Sequence, residues 1–287
     1  MRTINFKDKV IWVTGASSGI GAELALQLNE KGAVVIASAR RLDKLTALKN
    51  SCCNPENLHT VPLDITDETS IANAVKEVKD LARLDLLIHN AGIAQKGLVI
   101  ENPMEIDRMI METNYFGTVA LTKAVMPIFM RQGHGWFAVM SSFGGVMGLP
   151  CRSAYAASKH ALHGFFKSLE IEEMDCKMKV SYIIPGFINT EITAKGLQSN
   201  GAARGSVETS HKLGMSAQRC AADTIKGLEK RRNRIPIGKF EIHLLTIHSI
   251  SPRLARWIIK NHPMRRIRKL QNRFRPLSLN KRVQVVE

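Results

Sequence analysis

Short apolar runs rich in β-branched residues alternate with longer stretches of helical periodicity along the first 230 residues. The runs are VIWVTG (10–15), AVVIASA (33–39), LDLLIHN (84–90), WFAVMSS (136–142) and KVSYIIPG (179–186). The helix-patterned stretches between them span 19–31, 67–82, 104–131 and 153–174. Such alternation predicts βαβ units, and runs that are apolar on both faces predict a parallel sheet covered by helices on both sides. The expected fold class is therefore α/β, a doubly wound parallel sheet.

The charge is distributed unevenly over the 287 residues, whose net charge is +16. Residues 1–230 carry 26 Lys and Arg against 23 Asp and Glu, whereas residues 231–287 carry 15 against 2. A near-neutral globule followed by a basic extension explains this difference. We expect one folded domain over 1–240, including a loop at 191–214 that closes as a lid, and a basic amphipathic extension over 241–287. The loop is followed by a helix that Ser216 caps.

Cysteine usage and hydropathy restrict where the protein works. The five cysteines are odd in number and lack metal-ligand spacing, which favours a reducing compartment and no metal site. No apolar run approaches the ~18 residues of a membrane-spanning helix. The opening MRTINFKDKVIWVTG shows no secretory signal. We expect a cytoplasmic protein that can also bind peripherally to a membrane.

The stretch TGASSGIG (14–21) joins the first strand to a helix. Gly15, Gly19 and Gly21 would let the backbone turn tightly and approach a pyrophosphate, which the helix N-terminus stabilises. The strand–turn–helix context is the one that a dinucleotide site of the Rossmann type requires. A purely structural turn is the alternative.

The second strand is followed by two arginines where NAD-selective folds usually carry an acid. Arg40 and Arg41 favour a cofactor with a 2′-phosphate, so NADP(H) is the expected cofactor. Arginines that are merely solvated are the alternative.

Seven motifs occur together in the order and spacing of the short-chain dehydrogenase/reductase family: TGASSGIG, LDITD (63–67), NAG (90–92), TNYFG (113–117), SS (141–142), YAASK (155–159) and PGFINT (185–190). The chain resembles that family over about residues 8–235. Farther on, MSAQRCAADTI and the segment from Ser251 to Phe274 resemble the dehydrogenase/reductase member 7 branch, whose members are often membrane-associated. The resemblance implies a Rossmann-like fold and a carbonyl reductase or alcohol dehydrogenase.

The resemblance implies a catalytic tetrad of Asn114, Ser142, Tyr155 and Lys159. Tyr155 would be the general acid/base, and Lys159, one helical turn away, would lower the pKa of its phenol from ~10. Ser142 would bind the substrate oxygen, with Ser141 as the competing candidate. Asn114 would kink its helix and anchor a proton-relay water, or simply bend or cap the helix.

The same resemblance implies the cofactor contacts. Asp64 would bind the adenine amino group, or alternatively cap the next helix, and Asn90 would secure the central strand. Ile188 and Thr190 would contact the nicotinamide carboxamide. The full expected cofactor set is Gly15, Ser17, Ser18, Gly19, Ile20, Gly21, Arg40, Arg41, Asp64, Asn90, Ala91, Gly92, Tyr155, Lys159, Pro185, Gly186, Ile188 and Thr190.

The substrate is expected to be a small lipophilic carbonyl or alcohol, because the segments that wall the cleft in this family are apolar here. These residues are Phe143, Met147, Leu149, Phe187, Ile192 and Leu197. Core packing would account for them equally. Two rivals remain: a 3-oxoacyl thioester reductase with the same tetrad, and a non-catalytic nucleotide-binding scaffold. A homo-oligomer is compatible with the family.

The basic extension repeats apolar residues at spacings of three and four, with a break at Pro263. Those residues are Leu254, Trp257, Ile258, Ile267, Leu270 and Phe274, and they stand among Arg253, Arg256, Lys260, Arg265, Arg266, Arg268 and Lys269. Two short amphipathic helices at an anionic membrane surface are expected. Packing on the protein itself or on a second subunit is the alternative, and nucleic acid fits less well because it leaves the apolar stripe unexplained.

Overall fold

The apolar runs of the sequence correspond to strands of the structure. The computed structural model describes residues 3–79, 83–172, 176–198, 201–203, 205–207 and 209–261. The strands within this part are β1 (Val10–Thr14), β2 (Val34–Ala39), β3 (Leu58–Pro62), β4 (Leu86–His89), β5 (Gln95–Lys96), β6 (His134–Met140), β7 (Lys177–Pro185), β8 (Ile188–Asn189), β9 (Leu197–Gln198), β10 (Met215–Ser216) and β11 (Arg234–Ile237).

Helices connect the successive strands of the main, seven-stranded sheet, as parallel pairing requires. They are α1 (Gly19–Glu30), α2 (Leu42–Ser51), α3 (Glu68–Lys79), α4 (Met104–Met111), α5 (Gly117–Gln132), α6 (Ser153–Ile171), α7 (Thr209–Lys212), α8 (Ala217–Glu229), α9 (His243–Ile250) and α10 (Pro252–Asn261). The hydroxyl of Ser216 accepts a hydrogen bond from the Arg219 amide at 3.1 Å, which confirms the predicted cap of α8.

The main sheet has seven parallel strands in the order β11-β7-β6-β4-β1-β2-β3. The chain builds outward from β1 in one direction and then, from β4 onward, in the other. Val13 of β1 pairs with Ala37 of β2 on one side and with Ile88 of β4 on the other. The order therefore reverses between β1 and β4, where α/β sheets bind their ligands at the carboxyl ends of the strands. The predicted doubly wound fold is confirmed.

Burial on both faces explains why the central strands are uniformly apolar. All five residues of β1 are buried, and the polar atoms that this burial encloses find partners inside the sheet. The indole of Trp12 donates to Ser38 Oγ at 2.7 Å, and that of Trp136 donates to Ser181 Oγ at 3.1 Å. Each hydrogen bond removes the cost of an unpaired buried donor. The sheet thus forms a rigid platform for the loops at its carboxyl edge.

Two strands of the main sheet, the four strands of the two-stranded sheets and one irregularity lie outside the predicted pattern. β3 and β11 are short and flank the sheet, and β11 carries Pro236, a residue that edge strands tolerate. The stretch 104–131 was expected to be one helix, but a π-helical turn over Glu112–Phe116 separates α4 from α5. Such turns widen the helix by one residue and often occur at functional sites.

The chain divides into two compact units, Met1–Ile242 and His243–Glu287. In the second unit the structure describes α9 and α10, which contact each other. The Ser251 hydroxyl accepts a hydrogen bond from the Leu254 amide at 3.3 Å at the start of α10. Ile267, Leu270, Phe274, Arg265, Arg266, Arg268 and Lys269, together with the predicted second helix, lie outside the described residues.

Candidate active site

The turn between β1 and α1 is so tight that its glycines could not be replaced by residues with larger side chains. Gly15 and Gly19 have φ angles of 68° and 60°, in the left-handed region that favours glycine. A Cβ atom at Gly15 would lie 2.8 Å from the Ala91 Cα atom, and one at Gly21 would lie 2.4 Å from the Gly15 carbonyl oxygen. The backbone and the N-terminus of α1 therefore form an open cradle of the kind that receives a pyrophosphate.

The NAG segment at the end of β4 is hydrogen-bonded to the end of β1. The Asn90 side-chain amide donates to the Thr14 carbonyl at 2.9 Å and to the Gly15 carbonyl at 3.3 Å. The Thr14 hydroxyl accepts from the Asn90 amide at 3.0 Å and from the Ala91 amide at 3.1 Å. Thr14 is thus a structural residue of the cradle that the sequence reasoning did not single out, although it lies inside TGASSGIG.

The two arginines after β2 have different surroundings. Arg41 donates from Nη2 to the Ser17 hydroxyl at 2.9 Å and to the Ser18 hydroxyl at 3.4 Å, so it lies against the glycine turn. The Arg40 side chain is 71 % exposed, and its Nη1 is 3.9 Å from Asp64 Oδ2. Both cations stand at the mouth of the cradle. Together the glycine turn, the helix N-terminus and these arginines fit a dinucleotide, with Arg41 in the closer position.

Asp64 follows β3 and forms a local turn. Its Oδ1 accepts hydrogen bonds from the Thr66 amide at 3.0 Å and from the Thr66 hydroxyl at 2.7 Å. Partial burial would raise the pKa of Asp64, but these hydrogen bonds and the charge of Arg40 outweigh it, and the pKa lies below its ordinary value. The carboxylate lies partly exposed beside Arg40. It does not cap the next helix, because Asp67 instead accepts the hydrogen bond from the Thr69 amide at 2.9 Å where that helix begins.

Helix α6 brings Tyr155 and Lys159 to the carboxyl edge of the sheet. The Lys159 side chain is buried, its Nζ donates to the Met140 carbonyl at 2.8 Å, and it is 6.0 Å from the centroid of the Tyr155 ring. The Ser142 hydroxyl forms a hydrogen bond with the Tyr155 side chain. Ser141 instead pairs with His163 Nε2 at 2.7 Å. Of the two candidate serines, Ser142 is therefore the one that meets the phenol.

The pKa values around Tyr155 differ from the expectation based on its spacing from Lys159. Burial raises the pKa of Tyr155, while the Ser142 hydrogen bond and the charge of Arg152 lower it. Burial also lowers the pKa of Lys159 to about 8. The cation that acts on the phenol here is Arg152, three residues before Tyr155, and sequence reasoning missed it. Its only signal was a basic residue placed directly before the helix that carries Tyr155 and Lys159.

Asn114 occupies the π-helical turn and is completely buried. Its Oδ1 accepts from the Ile93 amide at 2.8 Å, and its Nδ2 donates to the Ile93 carbonyl at 3.0 Å and to the Ser158 hydroxyl at 3.1 Å. A Cβ atom at Gly92 would be 2.9 Å from Asn114 Oδ1 and 3.5 Å from Lys159 Nζ. Asn114 therefore lies within the interruption of its helix, as the helix-bending interpretation expected, and its side chain is near Lys159.

The loop after β7 approaches the glycine turn from the other side. A Cβ atom at Gly19 would lie 3.4 Å from Thr190 Cγ2, and Ile188 of this loop is buried. The buried carboxylate of Glu241 accepts a hydrogen bond from the Phe187 amide at 3.1 Å. A Cβ atom at Gly186 would lie 2.4 Å from Glu241 Oε1, so Pro185 and Gly186 must pass close to that carboxylate. Glu241 is 55 residues away, and no local motif indicated it.

The predicted substrate wall is only partly exposed. Phe143 and Met147 are buried, and the Leu149 side chain would be 3.2 Å from a Cβ at Gly144. Phe187 remains 38 % exposed beside His211. Leu197 of β9 pairs with Gln95 of β5, which brings part of the expected lid to the strand that follows the NAG segment. Phe143 and Met147 therefore serve the core, and the remaining side chains are the better candidates for a substrate wall.

Among the described residues, no group of three or more His, Cys, Asp or Glu side chains is arranged to hold a metal ion. Within the same ranges, every helix is too short or too polar to span a lipid bilayer. The fold and the cradle at its carboxyl edge define a nucleotide-binding α/β protein of the Rossmann type.

Comparison with known proteins identifies the family. The short chain dehydrogenase family model matches residues 9–200, and the chain belongs to that family. It is 34 % identical over 270 residues to the human dehydrogenase/reductase SDR family member 7, covering 91 % of this chain and 79 % of that protein. This similarity places it near the member 7 branch of the family.

Solved structures share the same fold. A short-chain dehydrogenase from Streptomyces avermitilis is 30 % identical, with a TM-score of 0.74 over 91 % of this chain and 99 % of that one. An alcohol dehydrogenase from Thermococcus sibiricus complexed with 5-hydroxy-NADP has a TM-score of 0.69 at 22 % identity over 81 % and 97 % of the two chains. A family member from Burkholderia phymatum in complex with NAD has a TM-score of 0.73 at 19 % identity, over 96 % and 100 %. The chain therefore shares the fold of these dehydrogenases.

Proposed function

We propose that the protein is an NADP(H)-dependent oxidoreductase that interconverts a lipophilic ketone or aldehyde and its alcohol, with Tyr155 as the general acid/base. One observation carries the proposal. The Tyr155 phenol is hydrogen-bonded to Ser142 and has Lys159 and Arg152 about equally close to its ring, at 6.0 Å and 5.9 Å. A non-catalytic scaffold would have no use for a phenol with two cations near its ring.

In the proposed reaction the bound cofactor supplies or accepts a hydride. Tyr155 donates its hydroxyl proton to the carbonyl oxygen during reduction and accepts it back during oxidation. The Ser142 hydroxyl donates to the same oxygen and orients it toward the phenol.

Lys159 and Asn114 would restore the proton to Tyr155. Lys159 Nζ is held by the Met140 carbonyl, and Asn114 is fixed by both backbone atoms of Ile93 and by Ser158. With a pKa of about 8, the lysine can exchange a proton near neutral pH. We propose that a water molecule ordered by Asn114 connects this lysine to solvent.

The preference for NADP(H) is proposed from the two arginines. Arg41 is positioned by Ser17 and Ser18 at the glycine turn, and Arg40 is exposed beside Asp64. Guanidinium groups bind a phosphate through charge-assisted hydrogen bonds, whereas a 2′-hydroxyl offers no such charge. Asp64, Asn90, Ala91, Gly92, Ile20, Ile188 and Thr190 remain proposed contacts for the rest of the cofactor.

A substrate panel tests this function. The purified protein is incubated with NADPH or NADH and with aliphatic and aromatic ketones, steroid ketones and a 3-oxoacyl thioester, and cofactor absorbance is followed. We expect turnover of lipophilic ketones with NADPH and its loss in Tyr155→Phe. Preference for the thioester would favour that rival activity. An absence of turnover with every carbonyl, at full NADPH occupancy, would favour the scaffold.

We also propose that α10 contacts an anionic membrane surface. Leu254 and Trp257 are exposed one turn apart, at 48 % and 63 %, and Arg253, Arg256 and Lys260 lie on the same helix. Apolar side chains among cations characterise helices that lie at lipid interfaces. Nucleic acid would use only the charges, and self-packing would cover only the apolar residues.

Co-sedimentation with vesicles distinguishes these partners. The full chain is compared with Trp257→Ala and with a variant in which Arg253, Arg256 and Lys260 are Gln, using anionic and neutral vesicles at low salt. Binding to anionic vesicles that both variants weaken is expected, since each cation contributes about 1 kcal/mol near such a surface. If the unmodified chain stays in the supernatant, the membrane proposal is wrong, and gel filtration then tests for a homo-oligomer.

A further inference from the structure

The turn before α6 holds Arg152 in a defined place. Cys151 has a φ of 61°, in the left-handed region that non-glycine residues rarely adopt, so the chain reverses sharply there. The Gly97 amide donates to the Cys151 carbonyl at 3.2 Å and fixes this turn against the segment that follows β5. Arg152 is the next residue and immediately precedes the first turn of α6. A strained conformation that is tied down in this way usually serves a site.

The guanidinium of Arg152 lies between that segment and the phenol. Its Nη1 donates to the Gln95 carbonyl at 3.1 Å, and its Cζ is 5.9 Å from the centroid of the Tyr155 ring. Lys159 Nζ lies 6.0 Å from the same centroid. Two cations therefore lie near the Tyr155 ring, one from the turn before its helix and the other from one helical turn after Tyr155.

The two cations respond differently to pH. Burial lowers the pKa of Lys159 to about 8, so this ammonium loses its charge in mildly alkaline solution. Burial also lowers the pKa of Arg152, but a guanidinium starts from so high a value that it stays protonated. Among the described residues, the groups that act on Tyr155 are the Ser142 hydroxyl and the Arg152 charge; Lys159 is near its ring, and Cys151 is adjacent to Arg152.

We propose that Arg152 is a positioning residue for the acid/base step: its guanidinium, held by the Gln95 carbonyl near the Tyr155 ring, stabilises the phenolate form of Tyr155. The inference rests on the proposed role of Tyr155 and adds to it a second, permanent cation. A positive charge at this distance lowers the pKa of an acidic group by about one unit, because it favours the ionised form. Removing it would make the phenolate form at higher pH.

Titration of the phenolate tests Arg152 without any substrate. Ultraviolet difference absorbance is measured against pH for the unmodified protein and for Arg152→Gln, Arg152→Met and Arg152→Lys, each with a Tyr155→Phe counterpart to isolate the Tyr155 signal. We expect the Tyr155 midpoint to rise by about one pH unit in the Gln and Met variants and by less in the Lys variant, which keeps the charge. Arg108→Gln, an exposed arginine on α4, is the control and should not move it.

Turnover gives the second measurement. Alcohol oxidation requires the phenolate, so its rate below the midpoint should fall about tenfold in Arg152→Gln and recover as the pH is raised. An unchanged Tyr155 midpoint in both uncharged variants, or an equal loss at every pH, would overturn the proposal. Arg152→Met keeps an unbranched aliphatic stem without the charge and replaces the Gln variant if that one does not fold. Absence of turnover in the unmodified protein would instead count against the proposed function, and the titration would still decide the role of Arg152.

Discussion

The two halves of the candidate site use different chemical groups: one uses mainly the backbone and the other uses side chains. The nucleotide half, from Gly15 to Asn90, consists of backbone groups packed so closely that a Cβ atom at Gly21 would lie 2.4 Å from a carbonyl oxygen. The reacting half, around Tyr155, consists of side chains in a buried environment, where hydroxyls and cations set one another's ionisation. Cofactor binding in the nucleotide half depends on the shape of the backbone, and the reaction in the reacting half depends on charge. Substitutions should therefore change cofactor binding in one half and rate or pH dependence in the other.

The largest effect is expected at the phenol. Tyr155→Phe removes the transferable proton and leaves the ring in place, so kcat should fall by ~10²–10⁴. The Kd for NADPH, measured by fluorescence titration, should remain close to that of the unmodified protein. If this variant kept half of the kcat of the unmodified protein, Tyr155 would not be the acid/base, and the contrast between the two halves of the site would fail.

The glycine turn should show the opposite pattern. Gly21→Ala forces apart the turn and the Asn90 amide, and overpacking of this kind costs about 1–3 kcal/mol, or roughly 10- to 100-fold in NADPH affinity. Gly164→Ala on α6 is the matched control, because a Cβ there meets nothing within 4 Å. Equal NADPH affinity in the two alanine variants would contradict the idea that shape governs this half.

Cofactor preference should depend on charge at the edge of the nucleotide half. Arg40→Asp should reduce the ratio of NADPH to NADH affinity by roughly tenfold, because it replaces a phosphate partner with a repelling carboxylate. Arg41→Asp is the paired variant, since Arg41 already binds the Ser17 hydroxyl. If the unmodified protein binds NADH as tightly as NADPH, the NADP(H) proposal fails.

The smallest effect is expected at Glu241. Glu241→Gln keeps the size of the side chain but weakens the hydrogen bond that its carboxylate accepts from the Phe187 amide, so the KM for NADPH should rise about threefold with little change in kcat. Glu172→Gln, an exposed residue, is the control. A loss in kcat with an unchanged KM would mean that Glu241 influences the reacting half instead.

Much of the fold was predictable because it follows from local patterns. The apolar runs located five of the seven strands of the main sheet, and the glycine motif located the turn after β1. The hydrophobic pattern did not predict β3 and β11, because short edge strands carry few apolar residues. The π-helical turn at Asn114 was not predicted either. One widened turn hardly changes the 3.6-residue periodicity of so long a helical stretch.

The sequence by itself determined the order of strands and helices, the residues of the glycine turn and the spacing between Tyr155 and Lys159. All of these depend on neighbours in the chain, where periodicity and turn geometry act. Only the tertiary structure decided that Ser142 rather than Ser141 meets the phenol, that Arg152 is the cation whose charge lowers the phenol's pKa, and that Glu241 holds the loop after β7. The contacts of Ser142 and Glu241 join segments that packing brings together. Arg152 is close to Tyr155 along the chain, but burial decides how strongly its charge acts on the phenol, which no spacing along the chain can specify.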